Sequence, residues 1–216
     1  MKPEISVIMP VFNGAKFLHS CLSPCLRQQG LMGIPYELIV VNDGSNDRTV
    51  QILDSWRKMV PENLFRVIEQ NNLGVAKAVN TGIEKARGNT IVLVDADDII
   101  ETTALARLYG LFKQGQYILV TGQHKGFDSQ TGRALFTTQK EHFSVRDKTA
   151  EEEPLLHAYG LGHPKMVRRA TLEEIGGFDP SNEFASDYDA ALKVIFPGET
   201  KQWGLVDKVL YYYSSI

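Results

Sequence analysis

A chain of 216 residues, 43% of them hydrophobic, suits one domain with a core of ordinary size. Its 23 Lys and Arg stand against 26 Asp and Glu, and the net charge of -3 argues against a nucleic-acid surface. No apolar run approaches the roughly 20 residues of a membrane span and no signal peptide opens the chain. A cytoplasmic protein is therefore expected, at most peripheral at the inner membrane face.

Residues 1–100 alternate strand and helix. "ISVIMPVF" is a β-branched run, followed by "GAKFLHSCLSPCLRQQG" with apolar residues at helical spacing and a Pro24 expected to bend or interrupt it. Cys21 and Cys25 on that helix lie about 6 Å apart at Cβ, too far for a good disulfide, which suits a reducing compartment. "YELIVVND" is the second strand, and Asp47 is placed to cap the helix carrying Val50, Ile52, Leu53 and Trp56. "LFRVIEQ" is the third strand. "LGVAKAVNTGIEKARG" is the third helix, with Gly88 positioned as a left-handed terminator. "NTIVLVD" is the fourth strand. This alternation predicts parallel pairing and a doubly wound α/β layer architecture.

Beyond Ile100 the pattern changes. "TTALARLYGLFKQG" reads as a helix, "YILVTGQHKGF" and "RALFTTQ" as strands around the turn "DSQTG", and "TAEEEPLLHAYG" as a short helix. "EIGGFDPSNEF" is turn-rich, "ASDYDAALKVI" helical, and "LVDKVLYYY" a closing strand. The expectation is a single domain over residues 1–216, with a nucleotide-binding half at 1–100 and an acceptor-side half at 101–216.

In such sheets ligands bind beyond the carboxyl ends of the strands. Here those ends carry "PVFNG", "VNDGSND", "EQNNLG" and "VDADD". "NDGSND" is also an ordinary turn and cap sequence, and Asn71, Asn72 and Gly74 would serve equally as a loop before a helix. The acids Asp95, Asp97 and Asp98 say more, because a cap needs one carboxylate. Like charges gathered at the end of a buried strand imply a hard cation, Mn2+ or Mg2+, shared with phosphate oxygens. "PVFNGAKF" is no dinucleotide fingerprint, and no P-loop motif occurs.

Taken together, "ISVIMPVFNG", "ELIVVNDGSNDRT", "NNLGVAKAVNTGIEKARGNTIVLVDADD" and "KMVRRATLEEIGGFDPSNEFASDYDAALKV" resemble the family 2 glycosyltransferases of the GT-A fold, over nearly the whole chain. The resemblance implies an inverting transferase using a nucleotide-diphosphate sugar, most often a UDP-sugar, with Mn2+ or Mg2+ and a saccharide or lipid-linked acceptor. It places Pro10, Val11 and Asn13 around the nucleoside and Asp43 against the base. Asn72, Gly74, Lys77 and Asn80 flank the nucleotide. Asp95 and Ala96 lie against ribose and diphosphate, and Asp97, with Asp95, serves the metal.

The family's general base is the second acid of a pair near the start of a late helix. Ser186-Asp187-Tyr188-Asp189 lacks the first acid and leaves Asp187 in the base position. Phe184, Tyr188, Ala191, Leu192 and Ile195 make an apolar stripe with Asp187 at its edge. The bland alternative has Ser186 capping that helix, with Asp187 and Asp189 complementing its dipole. His163 in "LGHPK" is a further candidate, either facing an acceptor or held in a loop. Arg168 and Arg169 match a basic pair of the family. "YYYSSI" lacks the Arg and His that the family often carries there, leaving a metal position to water or to a segment beyond Ile216. A phosphatase of the haloacid type would carry its acids after an early strand, and a nucleotidyltransferase a Gly-rich basic loop after the first. A nucleotide-sugar-binding module with weak or lost catalysis is the non-enzyme alternative.

Overall fold

The computed structural model describes residues 1–115, 117–128, 134–137, 163–182, 190, 193–194 and 202–215. Its strands are β1 (Ile5–Val11), β2 (Tyr36–Asp43), β3 (Phe65–Gln70), β4 (Thr90–Leu93), β5 (Ile99–Ile100), β6 (Tyr117–Asp128), β7 (Ala134–Thr137), β8 (Lys165–Arg168) and β9 (Gln202–Ser215). Its helices are α1 (Leu18–Leu26), α2 (Thr49–Met59), α3 (Val75–Lys85), α4 (Ala104–Gln114) and α5 (Arg169–Glu174). All these strands share one sheet in the order β3-β2-β1-β4-β8-β6-β9-β5, with β7 paired to β6.

The first four strands are parallel, as the β–α alternation predicts. β2 is buried on both faces because its apolar run is continuous. Leu38 and Val40 pack toward α1, α2 and α4, while Ile39 and Val41 pack toward α3 and α5. The second half does not form a separate sheet. β8 runs antiparallel between β4 and β6, and β9 runs parallel to β6. The sheet is therefore mixed and continuous across both halves of the chain.

Three local expectations are corrected. Pro24 does not break α1, which continues to Leu26 before ending. Gly88 is not a left-handed terminator: α3 stops at Lys85 and the chain leaves through an extended Ala86. Gly88 is needed because a Cβ there would stand 2.7 Å from the Ser6 backbone nitrogen. Ile99 and Ile100, expected only as flanks of the acid cluster, form β5 and pair antiparallel with Tyr212 and Tyr211. The turn at residues 129–132 and the helix expected at 149–160 lie outside the described residues.

At the amino ends of the strands sits a fully buried carboxylate. Glu37 accepts from Ser6 Oγ at 2.8 Å, from the Arg87 backbone N–H at 2.8 Å and from Arg66 at 3.0 Å. Ser6 Oγ accepts in turn from the Gly88 N–H at 2.9 Å. One side chain thus ties β1, β2, β3 and the turn into β4 together, far from the loops discussed next.

Candidate functional site

The carboxyl ends of β1–β4 bring the predicted loops together. After β1 the chain turns at Asn13, whose φ of 53° is left-handed. Its side-chain oxygen accepts from the Asn46 N–H at 2.9 Å, and its own N–H donates to Ser45 Oγ at 2.9 Å. Asp47 accepts from Thr49 N–H at 2.9 Å and Ala15 N–H at 3.1 Å, so it serves the start of α2 as expected and binds the β1 loop as well. Pro10 and Val11 close β1 beneath these loops. Phe12, absent from the predicted site, projects there with 48% of its surface exposed. An aromatic residue inside the polar loop after β1 is the sequence signal that would have singled it out.

Asp43 is 3% exposed at the end of β2. One carboxylate oxygen accepts from Gln70 at 2.7 Å and the Leu73 N–H at 2.8 Å, and the other from the Gly74 N–H at 2.9 Å. The residue expected to face a base thus also shapes the loop before α3 and satisfies part of the helix's donor set from within the protein. Gly44 permits this closeness, since a Cβ would lie 2.8 Å from the Asn72 nitrogen. Asn72, Gly74 and Lys77 are exposed around the start of α3. Asn80 lies deeper. Its amide donates to Phe178 O at 2.7 Å and accepts from Phe178 N–H at 2.8 Å, so here it clamps the segment after α5.

The acid loop follows β4. Asp98 is 4% exposed and accepts from the Ser214 N–H at 2.9 Å. Burial, with Asp95 and Asp97 adding to it against the donors from Ser214 and Tyr211, pushes its pKa up to about 7. Tyr211, fully buried on β9, accepts from the Asp95 N–H at 2.9 Å and donates toward Asp98. The third acid of the cluster is therefore structural, and the tyrosine that holds it was not foreseen. Asp97 is half-buried, its pKa raised first by burial and then by the charge of Asp95. It borders a cleft of about 310 Å³ shared with Lys16, Phe17, Ser20 and Phe127. Ala96 sits between the acids, packed against the β1 side of the core.

Among the described residues no three His, Cys, Asp or Glu side chains converge on a point. A pair of carboxylates, one of them desolvated beside its like-charged neighbour, nevertheless fits a cation completed by phosphate oxygens and water. Asp97 and Asp95 are the residues that would hold one. Cys21 and Cys25 are free and buried, and burial first, then the neighbouring acids, pushes the Cys21 thiol up to about 12.

A second polar group lies below Asp95, on β6, β8 and β9. His163 is buried, its Nδ1 3.4 Å from Leu93 O and its Nε2 3.8 Å from Asp95 Oδ2. His124 stands nearby, edge-on to Tyr213 at 4.9 Å. Burial, followed by the positive charges of His163 and Lys165, pushes its pKa down to about 4. An unfolded chain would bind this proton from about pH 6.5, so between pH 6.5 and 4 His124 makes folding less favourable as pH falls. His124→Gln is expected to lose less melting temperature than wild type between pH 7 and pH 5. Equal losses would show that the imidazole is already charged in the native state.

Asp187 and its neighbours from 183 to 189 lie outside the described residues. The residues of the expected stripe, Phe184, Tyr188, Ala191, Leu192 and Ile195, lie outside them as well. Ala190 and Val194, left out of it, are buried at 2% and 1%, against the α3 and α5 face.

A mixed sheet with the order 3-2-1-4 at its parallel end, and an acid loop after the fourth strand, defines an α/β domain of the GT-A type. The chain belongs to the glycosyl transferase family 2, whose model matches residues 6–176. It is 33% identical over 155 residues to the glycosyltransferase GlyG of Streptococcus pneumoniae, covering 70% of this chain and 49% of that protein. It is 29% identical over 175 residues to the poly(ribitol-phosphate) beta-N-acetylglucosaminyltransferase TarP of Staphylococcus aureus, covering 79% and 50%. This chain spans about half the length of these curated relatives. The crystal structure of S. aureus TarS 1–349 in complex with UDP is similar with a TM-score of 0.76 at 26% identity, over 98% of this chain and 60% of that one. No helix among the described residues is long and apolar enough to cross a membrane.

Proposed function

We propose that this chain is the catalytic domain of an inverting glycosyltransferase that moves a sugar from a nucleotide-diphosphate donor, a UDP-sugar, to an acceptor hydroxyl. The observation that carries the reading is the acid loop: Asp97 half-buried beside Asp95, at the open end of the sheet and among the nucleoside-side loops. The UDP complex of TarS supports the choice of uridine. The acceptor is a saccharide or a lipid-linked glycan, in a protein working in the cytoplasm or against the inner membrane face.

In this reading Phe12 offers its ring to the base, while Pro10, Val11, Asn13 and Asp43 form the floor and walls of the nucleoside pocket. Asn72, Gly74 and Lys77 border the nucleotide from α3, and Asn80 supports them by fixing the α5 side. Asp95 and Ala96 meet ribose and diphosphate. Asp97, with Asp95, would hold Mn2+ or Mg2+, which would supply positive charge to the leaving diphosphate. Asp187 accepts the proton of the attacking hydroxyl as the glycosidic bond to the diphosphate breaks. A single displacement inverts the anomeric centre.

UDP in the presence of Mn2+ is expected to stabilise the protein by about 2.7 kcal/mol at 100 times its dissociation constant. For a chain of this size that raises Tm by about 5–10 °C. In Asp97→Asn the loop keeps its shape but loses a negative ligand. Its UDP affinity with Mn2+ should fall at least about tenfold, a loss of ~1.4 kcal/mol. Calorimetric titration with Mn2+ and with chelator checks this, and equal affinities in both proteins under both conditions would remove Asp97 from the metal.

A further inference from the structure

We propose that His163 is a positioning residue of the donor site, setting the orientation of the Asp95 carboxylate; this rests on the donor-binding reading above. Its imidazole stands between two acceptors, the Leu93 carbonyl at 3.4 Å from Nδ1 and Asp95 Oδ2 at 3.8 Å from Nε2. Toward either neighbour the ring is useful only as a donor.

The ring itself is fixed. It stacks on Tyr211 with centroids 5.4 Å apart and planes at 30°, and meets Tyr213 edge-on at 6.3 Å. Its backbone N–H donates to the Tyr213 hydroxyl at 3.1 Å. Asp95 is the movable partner: its side chain is 41% exposed against 9% for His163. Among the described residues no hydrogen bond holds its carboxylate, although its backbone N–H is held by Tyr211. The charge of Asp97 repels it from one side, while the His163 imidazole faces it from the other at 3.8 Å. The carboxylate that must meet a ribose and a diphosphate thus takes its direction from a histidine more than sixty positions later in the chain.

Three substitutions separate positioning from packing. His163→Phe keeps an aromatic ring against Tyr211 and has no donor. His163→Asn keeps a donor near Leu93 O and is too short for Asp95. His163→Gln gives up the stack and carries an amide donor far enough to reach Asp95. UDP affinity is measured by titration calorimetry with Mn2+, beside Tm. Phe and Asn variants are expected to bind UDP about tenfold more weakly, with Gln recovering most of the loss. A packing role gives the opposite order, Phe nearest wild type and Gln worst, and that order would overturn the proposal. In an Asp95→Ala background, His163→Phe should have no further effect on UDP affinity. A second, additive loss there would equally refute action through Asp95. Wild-type protein that binds no nucleoside diphosphate would instead defeat the donor-site reading, and the proposal with it.

Discussion

Asp187→Asn should lower kcat by at least about a hundredfold while donor affinity and Tm barely move. The amide keeps the shape of the carboxylate and most of its hydrogen bonding, but cannot take the acceptor's proton at neutral pH. A general base contributes about 10² to 10⁴ in rate. A carboxylate that merely complements a helix dipole contributes about 0.3–1 kcal/mol of stability and nothing to turnover. The two roles differ by orders of magnitude in one observable, so kcat measured beside UDP affinity separates them. Asp189→Asn is the control and should lose much less. The same experiment decides whether the serine at 186, where the family carries an acid, has left a working enzyme. Near wild-type turnover in Asp187→Asn would assign the residue to the helix start and require another base.

The largest stability effect is expected at the opposite end of the sheet. Glu37→Ala removes a carboxylate that is fully buried and accepts from Ser6, Arg66 and the Arg87 backbone. It leaves Arg66, only 16% exposed, without its counter-charge. Removing one partner of a buried pair typically costs about 3–5 kcal/mol. For a domain of this size that is a fall in Tm on the order of 10 °C. Arg87→Ala should cost far less, because that side chain is 45% exposed and 3.9 Å from the carboxylate. Urea denaturation should show a lower midpoint for Glu37→Ala at unchanged slope. A midpoint within error of wild type would mean that water replaces the network at no cost.

What the sequence made legible was whatever is written in local pattern. Continuous β-branched runs alternating with helical spacing give parallel strands, and Asp95, Asp97 and Asp98 at the end of one of them mark the acid loop that the proposed function uses. What stayed hidden is pairing across distance. Nothing near Glu37 in "YELIVVND" announces Arg66 or Ser6. Nothing near Asn80 points to Phe178, 98 positions later. The resemblance sets Asp43 against a base, and its further part in shaping the loop before α3 is hidden because the two backbone N–H groups it accepts from lie 30 and 31 positions on. Gly88 suited two reasons for being glycine, handedness and close approach, and only the neighbouring strand decides between them. β5 is two residues long, too short to carry a period. The Ala190 and Val194 face escaped because small and β-branched residues mark a helix face less clearly than Phe or Leu.

The hold of β9 on the acid loop orders events in time as well as in space. Tyr211 and Ser214 bind Asp95 and Asp98 across 116 positions. A ribosome delivers β1–β4 and their loops long before it delivers β9. The emerging amino-terminal half therefore carries clustered carboxylates without the hydroxyl and backbone N–H that hold them in the folded domain. Closing contacts of such sequence separation is slow compared with forming the local helices. The acid loop proposed to bind the donor thus reaches its folded arrangement late in synthesis, when β9 docks.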